Sequence, residues 1–419
     1  MEDKLNNILV VIESIDVDDS SGTKGRVALM QSLAKIGYAI TAVHFTQKDI
    51  KIPGIECLAV NERKDNVLYL LSRLHRVLFR WFKIDIGKYI DQKIGFSFGF
   101  FNDARSIKKA IATYKPESFD MVWTLSKGNS YRAHKAILEL PQWHSKWYAY
   151  VHDPYPQQLY PRPYNFVPHG YKQKRYFFRD ITSSAKRVVF PSLLLKEWMQ
   201  SYFVNIEGKS LIVPHQFPEE TTENIILPDF FEEEKFNLLH AGNLLDLRDP
   251  KPIIEAYQLF LRQFPEAKNN AALIFIGKAS TFDAYLTKKK KEISSLYTSD
   301  GYLPFNKVYA MQKAVTINII LEAKSEISPF LPGKFTHCVA ANKPILLVGP
   351  YYSESKRLLG KDYSLSFDFN QVEDMAKSIG DIYEKWKQDK NSVWLDREDL
   401  KIYLSSENLK TTITEDVVL

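Results

Sequence analysis

The residues with the clearest chemical content are Pro332, Gly333 and Lys334, near the head of the stretch 328–347. This stretch reads as a Pro/Gly loop, a short helix over 334–341 and a buried strand over Ile345–Val348. Asn342 suits the left-handed residue that closes the helix, and Lys343-Pro344 leads into the strand. A loop that opens directly onto a helix presents free N–H groups that favour phosphate, and Lys334 adds a full charge beside them. A second basic candidate, Arg248, follows His240-Ala241-Gly242-Asn243 and precedes the proline-started helix at Pro252. Its planar guanidinium is a fixed fork of donors, and the competing reading is an ion pair with Asp246 or Asp249. His152-Asp153-Pro154 ends an apolar run that begins at Trp147, and ligands of open parallel sheets bind beyond the carboxyl ends of strands. The competing reading there is a strand-end turn with a capping aspartate. The loop 18–26 holds Gly22, Lys24 and Gly25 but matches neither Gly-x-Gly-x-x-Gly nor a Walker P-loop.

These groups need strand ends to stand on. Short apolar runs alternate with helical stretches from the start, the pattern of βαβ units in parallel sheets. Strands are predicted over 5–13, 39–45, 121–124, 147–152, 188–190 and 211–213, with an amphipathic helix over 26–35, making one doubly wound domain. Residues 214–235, acidic and interrupted by prolines, read as a linker. A second series follows, with strands over 236–241, 272–277, 314–320 and 345–348, a helix over 252–263 and a basic helical region after Gly277. The tail 386–407 reads as helical and charged. The expected division is a first domain over 1–214, a linker over 215–235, a second domain over 236–395 and a tail over 396–419 that packs back on the first domain.

A chain of 419 residues with 45% hydrophobic and 25% charged content can bury a large core in two or three domains, which excludes a disordered chain. Cys57 and Cys338 are its two cysteines, without metal-type spacing, so neither a disulfide framework nor a zinc site is expected. The first residues lack a basic n-region, and the apolar run 8–12 is too short for a signal or a span, so a cytoplasmic protein is expected. A net charge of +6 is mild for this length and excludes a dedicated nucleic-acid binder. The excess is uneven. Arg73, Arg76, Arg80, Lys83, Lys88 and Lys93 are interleaved with Leu74, Val77, Leu78, Phe79, Trp81 and Phe82. Two readings stand: an aromatic face in the core with a solvated basic face, or a contact with an anionic membrane surface on the inner side. The cluster 171–179 carries the same ambiguity.

The run Pro332-Gly333-Lys334-Phe335-Thr336-His337-Cys338-Val339-Ala340-Ala341-Asn342-Lys343-Pro344 resembles the donor-binding segment of GT-B glycosyltransferases. The likeness is to the family 4 type in particular, where a loop of the form Pro-Ser-Lys-Leu-Phe-Glu-Tyr-Leu-Ala-Ala-Gly-Lys-Pro-Ile-Leu precedes a strand. The family's ribose-binding glutamate falls on His337 and its partner eight residues earlier on Pro329, so the paired glutamates are absent; Glu326 lies three residues before Pro329. The stretch from Gly242 to Pro252 resembles the family's Gly-Arg-Leu-x-x-x-Lys-Gly segment, with Asn243 in place of the first basic residue and Arg248 in place of the second.

The resemblance implies an α/β chain of GT-B architecture, two Rossmann-like doubly wound domains facing a central cleft, the first binding acceptor and the second a nucleotide-sugar donor. Arg248 and Lys334 would clamp the diphosphate, with Gly242, Asn243, Gly333 and His337 beside the donor. Gly277, Lys278, Tyr302 and Leu303 match places where the family holds the nucleobase, largely through backbone groups. His152 would face the donor sugar, making it catalytic with Arg248 and Lys334. Gly22, Lys24, Ser126 in the loop 124–130, and Asp153 fall on the acceptor side. The implied activity moves a sugar from a nucleoside-diphosphate sugar to a glycan or lipid-linked saccharide of surface-polysaccharide assembly, with retention of configuration. That charge clamp would make a divalent metal unnecessary, so neither a metal nor another cofactor is expected. Two alternatives remain open: a GT-B epimerase that releases the nucleotide without an acceptor, and a non-catalytic partner that has lost the donor site.

Overall fold

The structure, a computed structural model, describes residues 7–83, 85–218 and 225–418. The chain forms two compact units. One comprises Met1–Tyr160, Tyr164–Pro218 and Leu404–Leu419, the other Pro161–Pro163 and Glu219–Tyr403.

In the first unit β1 (Asn7–Ile12), β2 (Ala39–His44), β3 (Ile55–Ala59), β4 (Met121–Leu125), β5 (Trp147–Tyr150), β6 (Arg187–Phe190) and β7 (Ser210–Ile212) form one sheet in the order β3-β2-β1-β4-β5-β6-β7, every pair parallel. Both faces are covered. Leu9 and Val11 enter one core with Trp143 and Phe178, while Ile8, Val10 and Ile12 enter another with Met30, Leu33 and Ile413. A strand buried on both sides reads as a continuous apolar run rather than an alternating one, which is what β1 shows. Trp123 stacks on Tyr148 at 5.2 Å between ring centroids, and the Tyr148 hydroxyl donates to Asp416 at 2.6 Å. The Asp416 carboxylate also pairs with Arg187, so the last helix, Ser406–Val418, is tied to this sheet by a buried polar contact.

The second unit repeats the plan. The strands β8 (Phe236–Ala241), β9 (Ala271–Ile276), β10 (Leu296–Thr298), β11 (Ile317–Leu321), β13 (Ile345–Val348) and β15 (Ser366–Phe367) form a parallel sheet in the order β10-β9-β8-β11-β13-β15. A two-stranded parallel pair, β12 (Ile327–Ser328) with β14 (Tyr352–Ser353), stands apart from it. In each main sheet the order reverses between the first strand and the strand that follows the third crossover, β1 with β4 and β8 with β11, and the crevice beyond such a pair is where this fold class binds ligands.

Several boundaries differ from the sequence reading. The first helix spans Ser21–Lys35, because the Ser20 side chain caps it by accepting from the Thr23 N–H at 3.2 Å. Gly22 and Lys24 therefore stand in a helical turn and not in a loop. The tail 386–407 is not one helix. Val372–Gln388 ends, and residues 389–397 are held in another path by Asn342, whose carbonyl accepts from Leu395 N–H at 3.1 Å and whose side-chain oxygen accepts from Asp396 N–H at 3.2 Å. Helices resume at Glu398–Tyr403 and Ser406–Val418. Ala314 closes the helix Phe305–Ala314, and the strand expected from it begins at Ile317. Within the expected linker Phe231 is buried in the second unit's core and Phe230 stacks on Tyr297 at 3.8 Å, whereas residues 219–224 lie outside the described residues, as do Leu5 and Asn6 of the first predicted strand.

Candidate functional site

Candidate residues collect at the carboxyl ends of the strands in each unit. In the first unit Arg26, one turn into the helix Ser21–Lys35, is 2% exposed. Its guanidinium donates to the Ser126 carbonyl at 3.2 Å and to Thr23 Oγ1 at 2.7 Å. Burial lowers its pKa to about 10, opposed by the carboxylates of Glu13, Asp153 and Asp19, so the group stays charged at neutral pH. Ser126 stands just beyond β4 and His152 just beyond β5. The Ser126 hydroxyl accepts from the His152 backbone N–H at 3.1 Å and meets His152 Nδ1 at 3.0 Å. Burial, then the Arg26 charge and the neighbouring His215, hold the His152 imidazole well below its ordinary pKa, so it is neutral at pH 7. Burial raises the adjacent Asp153 to about 6, against the Arg26 charge and a hydrogen bond from Tyr160.

In the second unit β8 runs out through His240 into Gly242, and β9 into Gly277, with φ of 152° and 128°. A Cβ on Gly277 would lie 2.7 Å from the carbonyl carbon and oxygen of Gly242, so these two turns touch backbone to backbone and only glycine fits. A Cβ on Gly242 would lie 2.5 Å from Lys334 Nζ, which places the lysine amine directly over this turn. The Lys334 amine also meets His240 Nε2 at 3.4 Å. His240 Nδ1 faces the Ile319 carbonyl at 3.3 Å; a carbonyl can only accept, so Nδ1 carries the ring proton and Nε2 turns its lone pair to the lysine. Burial and then the nearby Arg248 guanidinium lower the Lys334 pKa to about 7. Arg248 Nη1 reaches the Asn243 carbonyl at 3.5 Å. Among the described residues neither Lys334 nor Arg248 makes an ion pair. Asp246 accepts from Thr281 at 3.2 Å and Asp249 from the Lys251 N–H at 3.0 Å, so the aspartate pairing considered for Arg248 does not form.

The remaining second-unit residues join the same turns. Asn243 donates through Nδ2 to the Tyr302 hydroxyl at 2.8 Å and accepts through Oδ1 from Lys278 N–H at 3.0 Å. The Lys278 amine lies 5.3 Å from the Tyr302 ring centroid. Ser299 links the Gly277 and Gly301 loops, accepting from Gly277 N–H at 3.0 Å and donating to the Gly301 carbonyl at 2.6 Å. Leu303 packs partly buried against the core beneath. Gly333 is exposed at the first position of the helix Gly333–Ala340, which has no side-chain cap. His337 sits one turn on, its ring 5.0 Å from that of Phe305. Pro329 is buried and Glu326 exposed, with Glu326 N–H donating to the Arg162 carbonyl at 3.0 Å. Gly22, exposed, and Lys24, half-buried, flank Thr23 in the first unit's helix.

Arg26, His240 and Ser299 are the members of these clusters that sequence reasoning missed. Arg26 and His240 stood inside segments already singled out. Their importance lies in partners 100 and 94 positions away, which no local spacing reveals.

No family model matches the chain, and no curated protein matches it in sequence. Solved structures do resemble it. An α,α-trehalose-phosphate synthase (UDP-forming) from Burkholderia xenovorans in complex with glucose-6-phosphate aligns over 99% of this chain and 100% of its own, with a TM-score of 0.61 at 10% identity. A trehalose-6-phosphate structure from E. coli bound with UDP-2-fluoro glucose aligns over 98% of each chain, with a TM-score of 0.60 at 12% identity. The N-terminal domain of Candida albicans trehalose-6-phosphate phosphatase aligns over 98% of this chain and 97% of its own, with a TM-score of 0.58 at 14% identity. At such identities the shared property is the fold: two Rossmann-like parallel-sheet units in one chain, the GT-B fold.

Proposed function

We propose that the protein is a glycosyltransferase that moves a sugar from a nucleoside-diphosphate sugar to a saccharide acceptor, with retention of configuration and without a divalent metal. The observation that carries this reading is the cation pair at the mouth of the second sheet. Lys334 and Arg248 stand near each other by a glycine turn, with a neutral imidazole beside them and, among the described residues, no carboxylate paired with either. Two neighbouring positive charges without a counter-ion favour binding an anion of high charge density, and a diphosphate supplies it.

In the reaction the bond between the sugar's anomeric carbon and the diphosphate oxygen breaks, and the acceptor hydroxyl oxygen bonds to that carbon. The hydroxyl proton passes to the leaving phosphate on the same face. Arg248 and Lys334 stabilise the charge that grows on the phosphate, the part a metal plays elsewhere, so no strong protein base is required. Gly242, Asn243 and Gly333 shape the phosphate cradle, and His337 takes the place of the ribose-binding glutamate. Gly277, Lys278, Tyr302 and Leu303 hold the base. His152, with the Ser126 hydroxyl donating to Nδ1, carries its proton on Nε2 and donates it to a hydroxyl of the transferred sugar. Asp153, Ser126, Gly22 and Lys24 belong to the acceptor side.

Because structural relatives were solved with UDP-2-fluoro glucose and with glucose-6-phosphate, the donor screen begins with a uridine nucleotide and the acceptor screen includes a hexose phosphate. The likeness of the 332–344 segment to family 4 enzymes adds glycans and lipid-linked saccharides of surface-polysaccharide assembly. The test is thermal stabilisation of wild type and Arg248→Ala by UDP, GDP, ADP and CDP, followed by turnover of the matching sugar nucleotides with each acceptor class. A ligand at 100 times its dissociation constant adds roughly 2.7 kcal/mol of stability. Selective stabilisation lost in the variant, followed by a product with the donor's anomeric configuration by proton NMR, is the expected result. Binding without turnover would leave a non-catalytic GT-B protein, release of the nucleotide with an epimerised sugar and no acceptor an epimerase, and no response to any nucleotide would overturn the donor site.

A further inference from the structure

The helix Val67–Phe82 is amphipathic in an unusual sense, because its most apolar stripe faces outward. Val67, Leu70, Leu74, Val77 and Trp81 follow one another at alternating spacings of three and four, which puts them on a single face. They are 68%, 63%, 52%, 50% and 76% exposed, and Ser72 is the helix's one fully buried residue. The stripe runs about 21 Å along the helix axis. The aromatic face that one sequence reading placed in the core is thus outside it. Beside the stripe Arg73, Arg76 and Arg80 are exposed, Lys83 follows directly, and the helix contains no acidic residue; Arg73 reaches Glu62, ahead of the helix, at 3.4 Å, while Arg76 and Arg80 face no carboxylate among the described residues. The helix is held in place from within its own unit: Asn66 caps it, accepting from Tyr69 N–H at 3.1 Å, and donates to Asn102 at 2.8 Å.

We propose that this helix docks the protein on an anionic phospholipid surface, with the Val67–Trp81 stripe in the acyl boundary and the row of arginines and Lys83 at the headgroups. Charge selects this occupant over a second copy of the chain, since pairing two such helices would set Arg76 and Arg80 against their copies, and the helix brings no carboxylate of its own to separate them. A large apolar face flanked by cations is the composition that lies in a membrane interface. No described helix is long and apolar enough to cross a membrane, so the contact is peripheral. The inference is independent of the donor site, because every residue it uses lies outside that site.

The test is sedimentation of the full chain with phosphatidylcholine vesicles, with and without about 30 mol % phosphatidylglycerol. Wild type should sediment with the anionic vesicles and release at high salt. Replacing Arg73, Arg76 and Arg80 by glutamine should weaken binding about fivefold per cation, roughly 100-fold together. Trp81→Ser should weaken it separately, with the melting temperature unchanged because the side chain is exposed. Equal binding to neutral and anionic vesicles, or full binding by the triple variant, would overturn the proposal. So would a dimer at micromolar concentration that Leu74→Asp dissociates, since that would assign the face to a second copy.

Discussion

The two units carry basic residues at the mouths of equivalent sheets, but they treat those charges in opposite ways. In the first unit Arg26 is sealed in, hydrogen-bonded to Ser126 and Thr23, and three carboxylates act on it. In the second, Lys334 and Arg248 press on each other and on a neutral histidine. One charge is balanced within the fold, and the other pair is the diphosphate clamp proposed above. The difference is between a cation with carboxylates around it and a pair of cations without them, a distinction that charge and position in the chain alone do not provide.

The sharpest way to break that comparison is a pair of deletions. Arg248→Ala should leave the melting temperature of the ligand-free protein nearly unchanged, abolish stabilisation by the nucleotide and lower kcat/KM by about 10²–10³. Arg26→Ala should destabilise the ligand-free protein by about 3–5 kcal/mol, since it removes a buried cation from beside its carboxylates. Calorimetry and initial rates on the two variants decide it. If both lose stability equally and keep their nucleotide response, the two cations do the same job and the contrast fails.

The fold was legible wherever burial is two-sided. Apolar runs such as β1, β8 and β13 stand out because helices cover both faces of their sheets. β3 was missed because it is an edge strand whose residues, Ile55 apart, are exposed or half-exposed, so its pattern is that of surface. The start of the first helix was missed because Ser20-Ser21-Gly22 reads as a turn until the cap hydrogen bond is seen. Lys334, Arg248 and His152 were legible because a glycine, a proline or a strand end marked each one. The counterweights that distinguish them, the lone pair of His240 and the carboxylates around Arg26, come from other crossovers and depend on strand register.

Backbone contact offers the next test. Gly277→Ala must meet the Gly242 carbonyl at 2.7 Å and hold φ near 128°, so it should cost about 1–3 kcal/mol and push the Gly242 turn against Lys334. Gly37→Ala, in the first unit with φ near 104° but nothing within 4 Å, isolates the cost of backbone strain alone. Chemical denaturation of both, with nucleotide titration, should show that only Gly277→Ala loses ligand binding. Equal nucleotide affinity in the two variants would show that the turn contact is not part of the site.

A smaller effect follows from protonation. Lys334 titrates near pH 7 when free, and a bound diphosphate favours its charged form, so the complex holds a proton the free protein lacks above that pH. Nucleotide affinity should therefore fall as pH rises from about 7 to 9, by up to tenfold per unit, and Lys334→Met should flatten the profile at a lower affinity. Isothermal titration at several pH values measures it. An affinity that rises with pH in wild type would contradict the charge clamp.

The smallest effect concerns the ligand-free protein. The folded pKa of Lys334 lies near 7 and its ordinary value is 10.5, so the unfolded chain binds more protons between these limits. By linkage this group's contribution to stability rises with pH across that window, and below about pH 7 the folded protein carries the full cost of an unbalanced buried charge. Lys334→Met removes the cost and keeps the apolar stem. At pH 7 the ligand-free variant should melt on the order of 2 °C above wild type, a figure reduced by the solvent that still reaches a half-buried chain. The gap should narrow as pH approaches 10, where the wild-type amine is neutral in the fold. The corresponding first-unit substitution, Arg26→Met, should lower the melting temperature at every pH, because that charge is balanced. A Lys334→Met protein less stable than wild type at pH 7, or one whose advantage grows with pH, would mean that the lysine is balanced as well and that the second unit holds its charge for the fold.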